Sequence, residues 1–420
     1  MLIDFSLTNY RSFKDKQTLS MVRDKGDEHI ENTFVIDKSK KFSLLKSAAI
    51  YGANASGKSN FLNALRAMKN IVTEQSQHGD KLPLVPFKLN NENITQPTEF
   101  EVTFMVDGIR YQYGFTASNV QIFDEWLFAF PKNHAQKWFE RIWDYESQNY
   151  EWKFSSFLLG TKQIWLQSTR NNALFLSTAV QLNSEQLKPV FDWFDKTLKL
   201  TGIAGFNPEY TVSVCQNDNK KEIINFLKAA DFCIHDINVK REEFQPLELL
   251  PRGMPDDIKE IFKKELQGKK ILIPETVHLD NHGNPINFEL TEESDGTQKF
   301  FELSGPILDV LKNGYVLCID ELNIHLHPKL VSFIANLFHS EVTNPENAQL
   351  IFTTHETSIL DQDIFRRDQI WFCKRDKNQA STLYPLSEFQ PKKGKENIEK
   401  GYLSGRYGAL PFISSFKGID

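Results

Sequence analysis

The sequence predicts an α/β fold whose core combines a mixed sheet with an antiparallel subdomain and carries a mostly helical insertion. Three observations predict it. A glycine-rich loop at 52–57 lies between a short apolar stretch and a segment with helical periodicity. Runs of alternating polar and apolar residues follow between 99 and 143. After 315, apolar stretches end in acidic residues or a histidine, as buried strands of an α/β sheet do.

Composition narrows the class of protein. The 420 residues are 40% hydrophobic and 25% charged, which is typical of a soluble globular protein. No apolar run reaches the ~18 residues of a membrane helix, and the amino terminus lacks a basic segment followed by an apolar one. We therefore expect a cytoplasmic protein. The net charge of −6 does not favour a general nucleic-acid binder, although a local basic groove stays open.

The four cysteines give little support for a metal or redox site. None forms a C-x-x-C pair. Cys318 lies in an apolar stretch and is interpreted as a core residue. Cys233 and His235 are close in sequence, but a pair of this kind is more often structural than metal-binding.

The glycine-rich loop predicts a site for phosphate groups. Residues 52–59 read G-A-N-A-S-G-K-S, between an apolar stretch at 47–51 and a helical pattern at 60–72. In this arrangement backbone N–H groups and the helix N-terminus face a triphosphate. Lys58 would reach the β- and γ-phosphates of ATP, and Ser59 would bind Mg²⁺. The alternative is a chance glycine turn. The loop residues expected to contact the nucleotide are Gly52, Asn54, Ser56, Gly57, Lys58, Ser59 and Asn60.

The amino-terminal part is expected to add strands to this core. Residues 2–8 alternate like a strand, and the turn that follows contains Arg11, which is either a surface residue or a neighbour of the nucleotide. The runs 99–106 and 109–115 are joined by Asp-Gly, a strong hairpin signal. Further alternating runs extend a meander to 143, which we expect to be built onto the strand before the loop.

The insertion is expected to be rich in helices. Amphipathic patterns occur at 172–181, 187–198, 221–228 and 256–266. The aromatic stripe within 187–198, formed by Phe191, Trp193 and Phe194, favours helix packing over a platform for nucleic-acid bases. The whole organisation is then an amino-terminal lobe, the insertion, a carboxyl-terminal lobe and a tail, at 1–153, 154–270, 271–375 and 376–420 respectively.

Two later strands predict the second half of a catalytic site. The apolar run 315–319 ends in Asp320 and Glu321. Asp320 is placed to hold Mg²⁺, and Glu321 to orient or deprotonate an attacking water. A second apolar run ends at His355, which we expect to sense the γ-phosphate, and a helix at 328–338 connects the two. The alternative is two strands that merely end at polar loops.

A third motif precedes the helical stretch 299–311. Ser294 and Gly296 would present a hydroxyl and backbone N–H groups at a helix N-terminus, which is a site for an anion. The same residues also fit an ordinary helix cap.

Taken in order, these motifs resemble an ABC-type ATPase head, a P-loop NTPase fold found in structural-maintenance-of-chromosomes and RecF-like proteins. The resemblance implies ATP and Mg²⁺ as cofactors and two heads that enclose two nucleotides. Each nucleotide would contact Lys58 and Ser59 of one protomer and Ser294 and Gly296 of the other. The usual Ser-Gly-Gly-Gln signature is altered here, since Asp295 and Thr297 are unexpected. Gln96 and Gln112 are both conceivable as the family's Q-loop glutamine.

A closer resemblance covers nearly the whole chain. Its segments are Asn-Tyr-Arg-Ser-Phe at 9–13, Phe-Asp-Glu-Trp-Leu at 123–127, Glu-Ser-Asp-Gly-Thr at 293–297, His-Leu-His-Pro at 325–328 and Leu-Ser-Gly-Arg-Tyr-Gly-Ala-Leu-Pro-Phe at 403–412. These segments, with the loop and the Asp-Glu pair, resemble bacterial anti-phage (abortive-infection) ATPases of the RloA and AbiL type, related to those of the PARIS, Septu and overcoming-lysogenization-defect systems. His325 and His327 could bind metal, but the resemblance implies a loop that crosses a dimer interface.

The resemblance implies an ATP-hydrolysing sensor and scaffold that forms dimers or larger oligomers and responds to a phage-derived trigger. Only 65 residues follow His355 (420 − 355), fewer than a Toprim nuclease domain needs. We therefore expect the effector to be a separate protein, a nuclease of the Toprim or HNH type. The alternative is a DNA-binding repair ATPase like RecF. Its candidate DNA contacts are Lys263, Lys264, Lys269 and Lys270, or Lys392, Lys393 and Lys395.

Overall fold

The structure is a computed structural model, and it describes residues 1–37, 42–74, 77, 79–131, 134–201, 205–216, 220–243, 270–361, 363–390 and 396–411. The chain forms two compact units. The first comprises 1–203, 310–324 and 331–420, and the second comprises 204–309 and 325–330. The four segments expected from the sequence stay a proposal about domain organisation.

The strands of the first unit form two large sheets and a two-stranded ribbon. They are β1 Leu2–Thr8, β2 Gln17–Ser20, β3 Thr33–Asp37, β4 Phe42–Leu45, β5 Ser47–Tyr51, β6 Thr98–Val106, β7 Ile109–Ala117, β8 Ile122–Phe130, β9 Gln136–Asp144, β10 Asn149–Phe154, β11 Leu198–Thr201, β15 Val316–Ile319, β16 Gln349–Thr353, β17 Ile370–Arg375 and β18 Ser381–Pro385. The second unit contains β12 Asp236–Glu243, β13 Lys270–Leu279 and β14 Pro285–Glu289.

The helices lie mainly between the strands. They are α1 Lys58–Thr73, α2 Asn91–Thr95, α3 Lys162–Ser168, α4 Phe175–Gln181, α5 Lys188–Asp192, α6 Pro208–Cys215, α7 Lys220–Ala229, α8 Asp295–Asn313, α9 Pro328–His339 and α10 Ile398–Leu403. No helix in the described ranges is long and apolar enough to cross a membrane.

A six-stranded sheet of the order β11-β15-β16-β5-β17-β18 positions the site. Its first five strands run parallel, and β18 returns antiparallel to β17. β5, β15 and β16 are buried along their whole length, which explains why their sequences read as continuous apolar runs. The carboxyl ends of parallel strands meet at one edge, so the loops after β5, β15 and β16 converge there.

The meander forms a separate sheet of seven strands in the order β10-β9-β8-β7-β6-β1-β2. The Asp107-Gly108 hairpin between β6 and β7 is confirmed. The expectation that the meander is built onto β5 is wrong, because β6 pairs with β1 instead. Its alternating burial supplies one apolar face, and this face shares a single core with α1 and the six-stranded sheet.

The helix predicted at 187–198 ends earlier than expected. α5 gives way to a π-helical turn at Trp193–Thr197, and Leu198 already begins β11 beside β15. The aromatic stripe lies in the core, where Trp193 stacks on Phe104 at 4.2 Å between ring centroids. Packing is therefore the role of these rings, as the spacing indicated.

The second unit combines a three-stranded antiparallel sheet, β12-β13-β14, with α6, α7 and the part of α8 up to Asp309. Phe300 of α8 stacks against Phe226 and Phe232 within this unit. The helix expected at 256–266 lies outside the described residues. So do the lysines proposed as DNA contacts, apart from Lys270, of which only the backbone is described, as the first residue of β13.

The predicted α/β class is confirmed, with a glycine-rich loop between β5 and α1, a mainly parallel sheet and an antiparallel sheet beside it.

Candidate functional site

A cavity of about 720 Å³ opens at the carboxyl edge of the six-stranded sheet. Most of its wall comes from the loop between β5 and α1, and the rest comes from the turn after β1, the ends of β15 and β16, and the end of β17. The lining residues are Ser12, Asn54, Ala55, Ser56, Gly57, Lys58, Ser59, Asn60, Glu321, His355 and Arg375.

Two positions of the loop require glycine, Gly52 because of a close backbone contact and Gly57 because of its positive φ. A Cβ on Gly52 would lie 2.3 Å from the carbonyl oxygen of Cys373. Gly57 has φ +117°, and a Cβ there would lie 2.4 Å from Ser381 Oγ. The loop is fixed to the β17–β18 hairpin, because the carbonyl of Ser56 accepts hydrogen bonds from Cys373 Sγ at 3.2 Å and Ser381 Oγ at 2.6 Å.

Lys58 is a buried cation at the start of α1. Its Nζ donates to the carbonyl oxygens of Gly52 at 2.8 Å and Ala53 at 3.1 Å. Among the described residues no carboxylate lies within 4.0 Å of this ammonium. Burial lowers the pKa of Lys58, while Glu321 and Asp320 favour its charged form. A buried ammonium without a close counter-ion favours an anionic ligand.

The loop leaves further groups available for a ligand. The N-cap of α1 is Gly57, and no side-chain cap of the helix is found in the described part of the chain. The N–H groups of its first turn can therefore bind an anion. Ser56 Oγ is buried and has no hydrogen-bond partner in the described part of the chain. A buried hydroxyl of this kind is normally satisfied. The loop therefore fits a phosphate chain in chemistry as well as in sequence.

The turn after β1 adjoins the loop. Asn60 Nδ2 donates to Ser12 Oγ at 2.9 Å, and Arg11 Nη1 lies 3.4 Å from Asn60 Oδ1. Arg11 has φ +50°, and its backbone N–H donates to Val85 at 2.7 Å. The structure thus places Arg11 next to the loop, although it is not one of the residues that line the cavity.

Asp320 and Glu321 are held by Thr353, the last residue of β16. Thr353 Oγ1 donates to Asp320 Oδ1 at 2.6 Å and accepts from the backbone N–H of Glu321 at 2.7 Å. Glu321 has φ +54°, an uncommon conformation for this residue. Asp320 is buried and does not line the cavity, whereas Glu321 does. The two acids therefore take different positions relative to the cavity, and their roles stay a prediction.

His355 follows β16 and lines the same cavity. Its backbone N–H donates to Asn323 Oδ1 at 3.2 Å, and this oxygen also accepts from Thr354 Oγ1 at 3.0 Å. Burial lowers the pKa of the His355 imidazole, and the positive charge of Lys58 lowers it further. The ring is therefore neutral near pH 7 and can act as both donor and acceptor.

Three lining residues were missed by sequence reasoning: Ser12, Ala55 and Arg375. Ala55 lies within the loop pattern and has φ +59°. Arg375 is the last residue of an apolar strand, β17, and Asp320 follows another apolar strand, β15. A charged residue at the end of an apolar strand is therefore a signal by which the sequence could have indicated Arg375. Ser12 gives no such signal, because its place depends on tertiary contacts.

Ser294 and Gly296 lie in the second unit. Ser294 Oγ accepts from the Thr297 N–H at 3.2 Å and so caps α8. A Cβ on Gly296 would lie 2.9 Å from the carbonyl oxygen of His325, and His325 Nδ1 is 3.7 Å from Asp295 Oδ2. The helix-cap interpretation is therefore observed, and the contact with a nucleotide stays a prediction.

The two Q-loop candidates have other partners. Gln112 Nε2 donates to Glu101 Oε2 at 2.9 Å within the antiparallel sheet. Gln96 follows the last residue of α2, and its carbonyl oxygen accepts from Asn9 Nδ2 at 2.8 Å. Neither residue lines the cavity. In the described ranges no group of three or more His, Cys, Asp and Glu side chains could hold a metal ion.

Comparisons with known proteins find one family model and several solved structures of low sequence identity. A family model described as "AAA domain, putative AbiEii toxin, Type IV TA system" matches residues 47–361. The SMC head domain from Thermotoga maritima is 12% identical with a TM-score of 0.39, over 91% of this chain and 98% of that one. CbiO1 from Clostridium perfringens, part of an ABC transporter complex, is 12% identical with a TM-score of 0.30, over 90% and 95%. An SMC head bound to the C-terminal winged-helix domain of ScpA is 12% identical with a TM-score of 0.38, over 93% of this chain and 99% of that one. No curated protein matches the sequence.

Proposed function

Because the chain belongs to the AAA-domain family described with putative AbiEii toxins of type IV toxin–antitoxin systems, we propose that it binds ATP with Mg²⁺ and hydrolyses ATP. The observation that carries the proposal is the cavity that Lys58, the N-terminus of α1 and the acid Glu321 all face. Lys58 is buried there, and no carboxylate of the described residues lies within 4.0 Å of its ammonium. These groups suit a polyphosphate with an attackable end.

Each residue has a distinct role in this proposal. Lys58 binds the β- and γ-phosphates, and the N–H groups from Gly52 to Asn60 surround the phosphate chain. Ser59 and Asp320 hold Mg²⁺, which neutralises charge on the phosphates when it is bound. Glu321 removes a proton from the attacking water, since its side chain reaches the cavity while Thr353 holds its backbone. His355, neutral near pH 7, contacts the γ-phosphate.

The proposal extends to a second copy of the chain. Ser294 and Gly296 of one protomer would contact the nucleotide bound by the other, through the N-terminus of α8. The Ser294 hydroxyl accepts from the Thr297 N–H and shares a hydrogen bond of 2.8 Å with the Thr297 hydroxyl. With Thr297 Oγ1 as the donor of that bond, the Ser294 hydrogen can turn to a phosphate oxygen. The His325–Pro328 segment would lie at this interface. ATP would therefore stabilise the dimer or a larger oligomer.

The cellular role is proposed from the resemblance in the turn after β1, the segment 325–328 and the tail at 403–412. An ATP-dependent assembly would act as a sensor and scaffold of an anti-phage system and would control a separate effector, a nuclease. A phage-derived trigger would change the assembly. The family description, which refers to a toxin–antitoxin system, supports a defence role in general terms.

The first test of the site is Glu321→Gln. This change keeps the size of the side chain and removes the base, so ATP turnover should fall by about 10²–10³-fold while ATP affinity is retained. Phosphate release and calorimetric binding measure the two quantities. The control is Glu185→Gln, at an exposed glutamate that does not line the cavity. Unchanged turnover in Glu321→Gln would exclude Glu321 as the base.

The role is tested by a pull-down of tagged Glu321→Gln protein, expressed with its flanking genes in the presence of ATP. We expect a stoichiometric second polypeptide, absent when Lys58 is also replaced. Recovery of nucleic acid alone, released by moderate salt, would instead support a DNA-binding repair ATPase. A dimer without any partner would contradict the scaffold role.

A further inference from the structure

Arg375 is a charged side chain without an assigned task. It is the last residue of β17, it is exposed, and it lines the cavity. Its guanidinium makes no hydrogen bond or ion pair with a residue in the described ranges. A guanidinium carries five donors and a permanent charge, and it matches phosphate oxygens in a forked geometry.

The backbone that carries Arg375 is held on both sides. β17 pairs with β5 in parallel and with β18 in an antiparallel register that sets Arg375 opposite Ser381. The turn after it is closed by Asp376, whose N–H donates to the Ala380 carbonyl at 2.8 Å and whose Oδ1 accepts from the N–H groups of Asn378 and Ala380, each at 2.8 Å. The backbone of Arg375 is therefore held in place at the edge of the cavity.

The sheet order decides which part of the ligand Arg375 faces. β5 lies between β16 and β17, so Glu321 and His355 enter from one side of the loop and Arg375 enters from the other. On the side of Arg375, Ser381 N–H donates to the Ser12 carbonyl at 2.7 Å, and Ser12 in turn accepts from Asn60. This side of the loop is therefore connected to Asn60 through Ser12, and to Gly57 through its close contact with Ser381.

We propose that Arg375 binds the α- and β-phosphates of the nucleotide from outside the phosphate-binding loop, opposite the residues at the γ-phosphate. The assignment rests on the proposed binding of ATP and adds a residue that the loop pattern does not contain. Together with Lys58, Arg375 provides cations from two segments of the chain around the phosphates. Arg375 is then a binding residue and takes no part in proton transfer.

The test compares two nucleotides by calorimetry with the full chain, Mg-ADP and Mg-AMP-PNP. Arg375→Ala should weaken both by about tenfold and to the same extent, since the lost charged hydrogen bonds go to phosphates that both ligands have. Arg375→Lys should recover part of the loss, because it keeps the charge and loses the fork. The matched control is Lys377→Ala, which removes an exposed cation in the same hairpin that does not line the cavity.

The outcomes separate the two proposals. Equal losses for both nucleotides, with the thermal unfolding of nucleotide-free Arg375→Ala unchanged, support the role. A loss confined to AMP-PNP would place Arg375 at the γ-phosphate and overturn the assignment, and so would affinities equal to those of Lys377→Ala. Failure of the wild-type protein and the control to bind either nucleotide would overturn the proposed function itself.

Discussion

The two ends of β5 contain buried lysines in opposite circumstances. Lys46 immediately precedes the strand and is 1% exposed; Lys58 follows the loop and is 5% exposed. Burial lowers the pKa of each ammonium. Lys46 Nζ donates to the carbonyl of His339 at 2.9 Å, the last residue of α9. Lys46 thus complements a helix C-terminus, whereas Lys58 opens onto a cavity.

The surroundings of Lys46 form a closed polar network. Gln369 Nε2 donates to Ser47 Oγ at 2.8 Å, and Gln369 Oε1 accepts from Asn32 Nδ2 at 2.8 Å. Ser47 Oγ also lies 2.8 Å from Nε2 of the buried His339. These polar groups satisfy one another and connect β5, α9 and the segment before β17. At the opposite end, Ser56 Oγ and the guanidinium of Arg375 have no partner in the described ranges.

The difference indicates where the sequence serves stability and where it serves a ligand. Buried polar groups are nearly always paired. The amino end of the sheet follows this rule through contacts within the chain. The carboxyl end leaves donors and cations for a bound molecule, at a cost in stability that the molecule would offset on binding.

The largest expected effect comes from replacing each of the two lysines by methionine. Lys58→Met should reduce ATP turnover by about 10³-fold, because the β- and γ-phosphates lose their cation. The free energy of unfolding of the nucleotide-free protein should change by less than about 1 kcal/mol, since a costly buried charge disappears together with two loop contacts. Phosphate release and urea titration measure the two effects.

Lys46→Met is the matched control, with the same substitution at the other end of β5. It should retain turnover per folded molecule and lose about 1–2 kcal/mol of stability, because the carbonyl at the end of α9 loses its donor. Equal effects of the two variants on turnover would contradict the conclusion that the amino end of β5 serves stability and the carboxyl end serves a ligand.

Gln369→Ala should give the next largest effect. The side chain bonds Ser47, Asn32 and the Arg366 N–H, and its removal leaves these groups unpaired in the interior. A loss of about 3 kcal/mol in the free energy of unfolding is expected, measured by urea titration, with turnover per folded molecule unchanged. Gln167→Ala, at an exposed position of α3, should be neutral. A neutral Gln369→Ala would mean that the network adds nothing to stability.

The two ends of β5 also differ in how much of their structure the sequence predicts. The loop from Gly52 to Ser59, the acids after β15 and His355 after β16 were found because each is a local pattern, a strand followed by specific residue types. Ser12 was missed because its place depends on the turn after β1 lying beside the loop in space. Arg375 ends an apolar strand, but the sequence does not show that this strand lies next to β5.

Long-range pairing explains the remaining errors. Alternation predicted the strands of the meander well, but it carries no information about the partner, and β6 pairs with β1 rather than β5. Helical periodicity extended the helix at 187 to 198, whereas pairing with β15 makes Leu198 a strand residue. The network around Gln369 joins residues up to 337 positions apart, so no local pattern announces it.

The last prediction concerns the pH dependence of stability at the amino end of the sheet. Burial, together with the charges of Lys46 and His29, lowers the pKa of His339 to about 3. The unfolded chain, with an ordinary pKa near 6.5, binds the proton first as pH falls, so stability is complete above about pH 6.5 and is lost progressively towards pH 3. Between pH 6.5 and 5 the titration of His339 lowers the free energy of unfolding by about 2 kcal/mol, at ~1.4 kcal/mol per pH unit.

His339→Gln removes this titration and retains an amide that can bond Ser47 Oγ. Urea titrations at pH 7, 6 and 5 should therefore show a shallower loss of stability for the variant than for the wild type, while the carboxylates contribute equally to both. The neutral His355 at the other end lies beside the cavity, where a bound phosphate would raise its pKa again. Saturating nucleotide should therefore change the part of the pH dependence of stability that comes from His355. The difference in the free energy of unfolding between the wild type and His339→Gln should stay the same. Identical pH profiles of the two proteins would show that His339 does not titrate as its buried position requires.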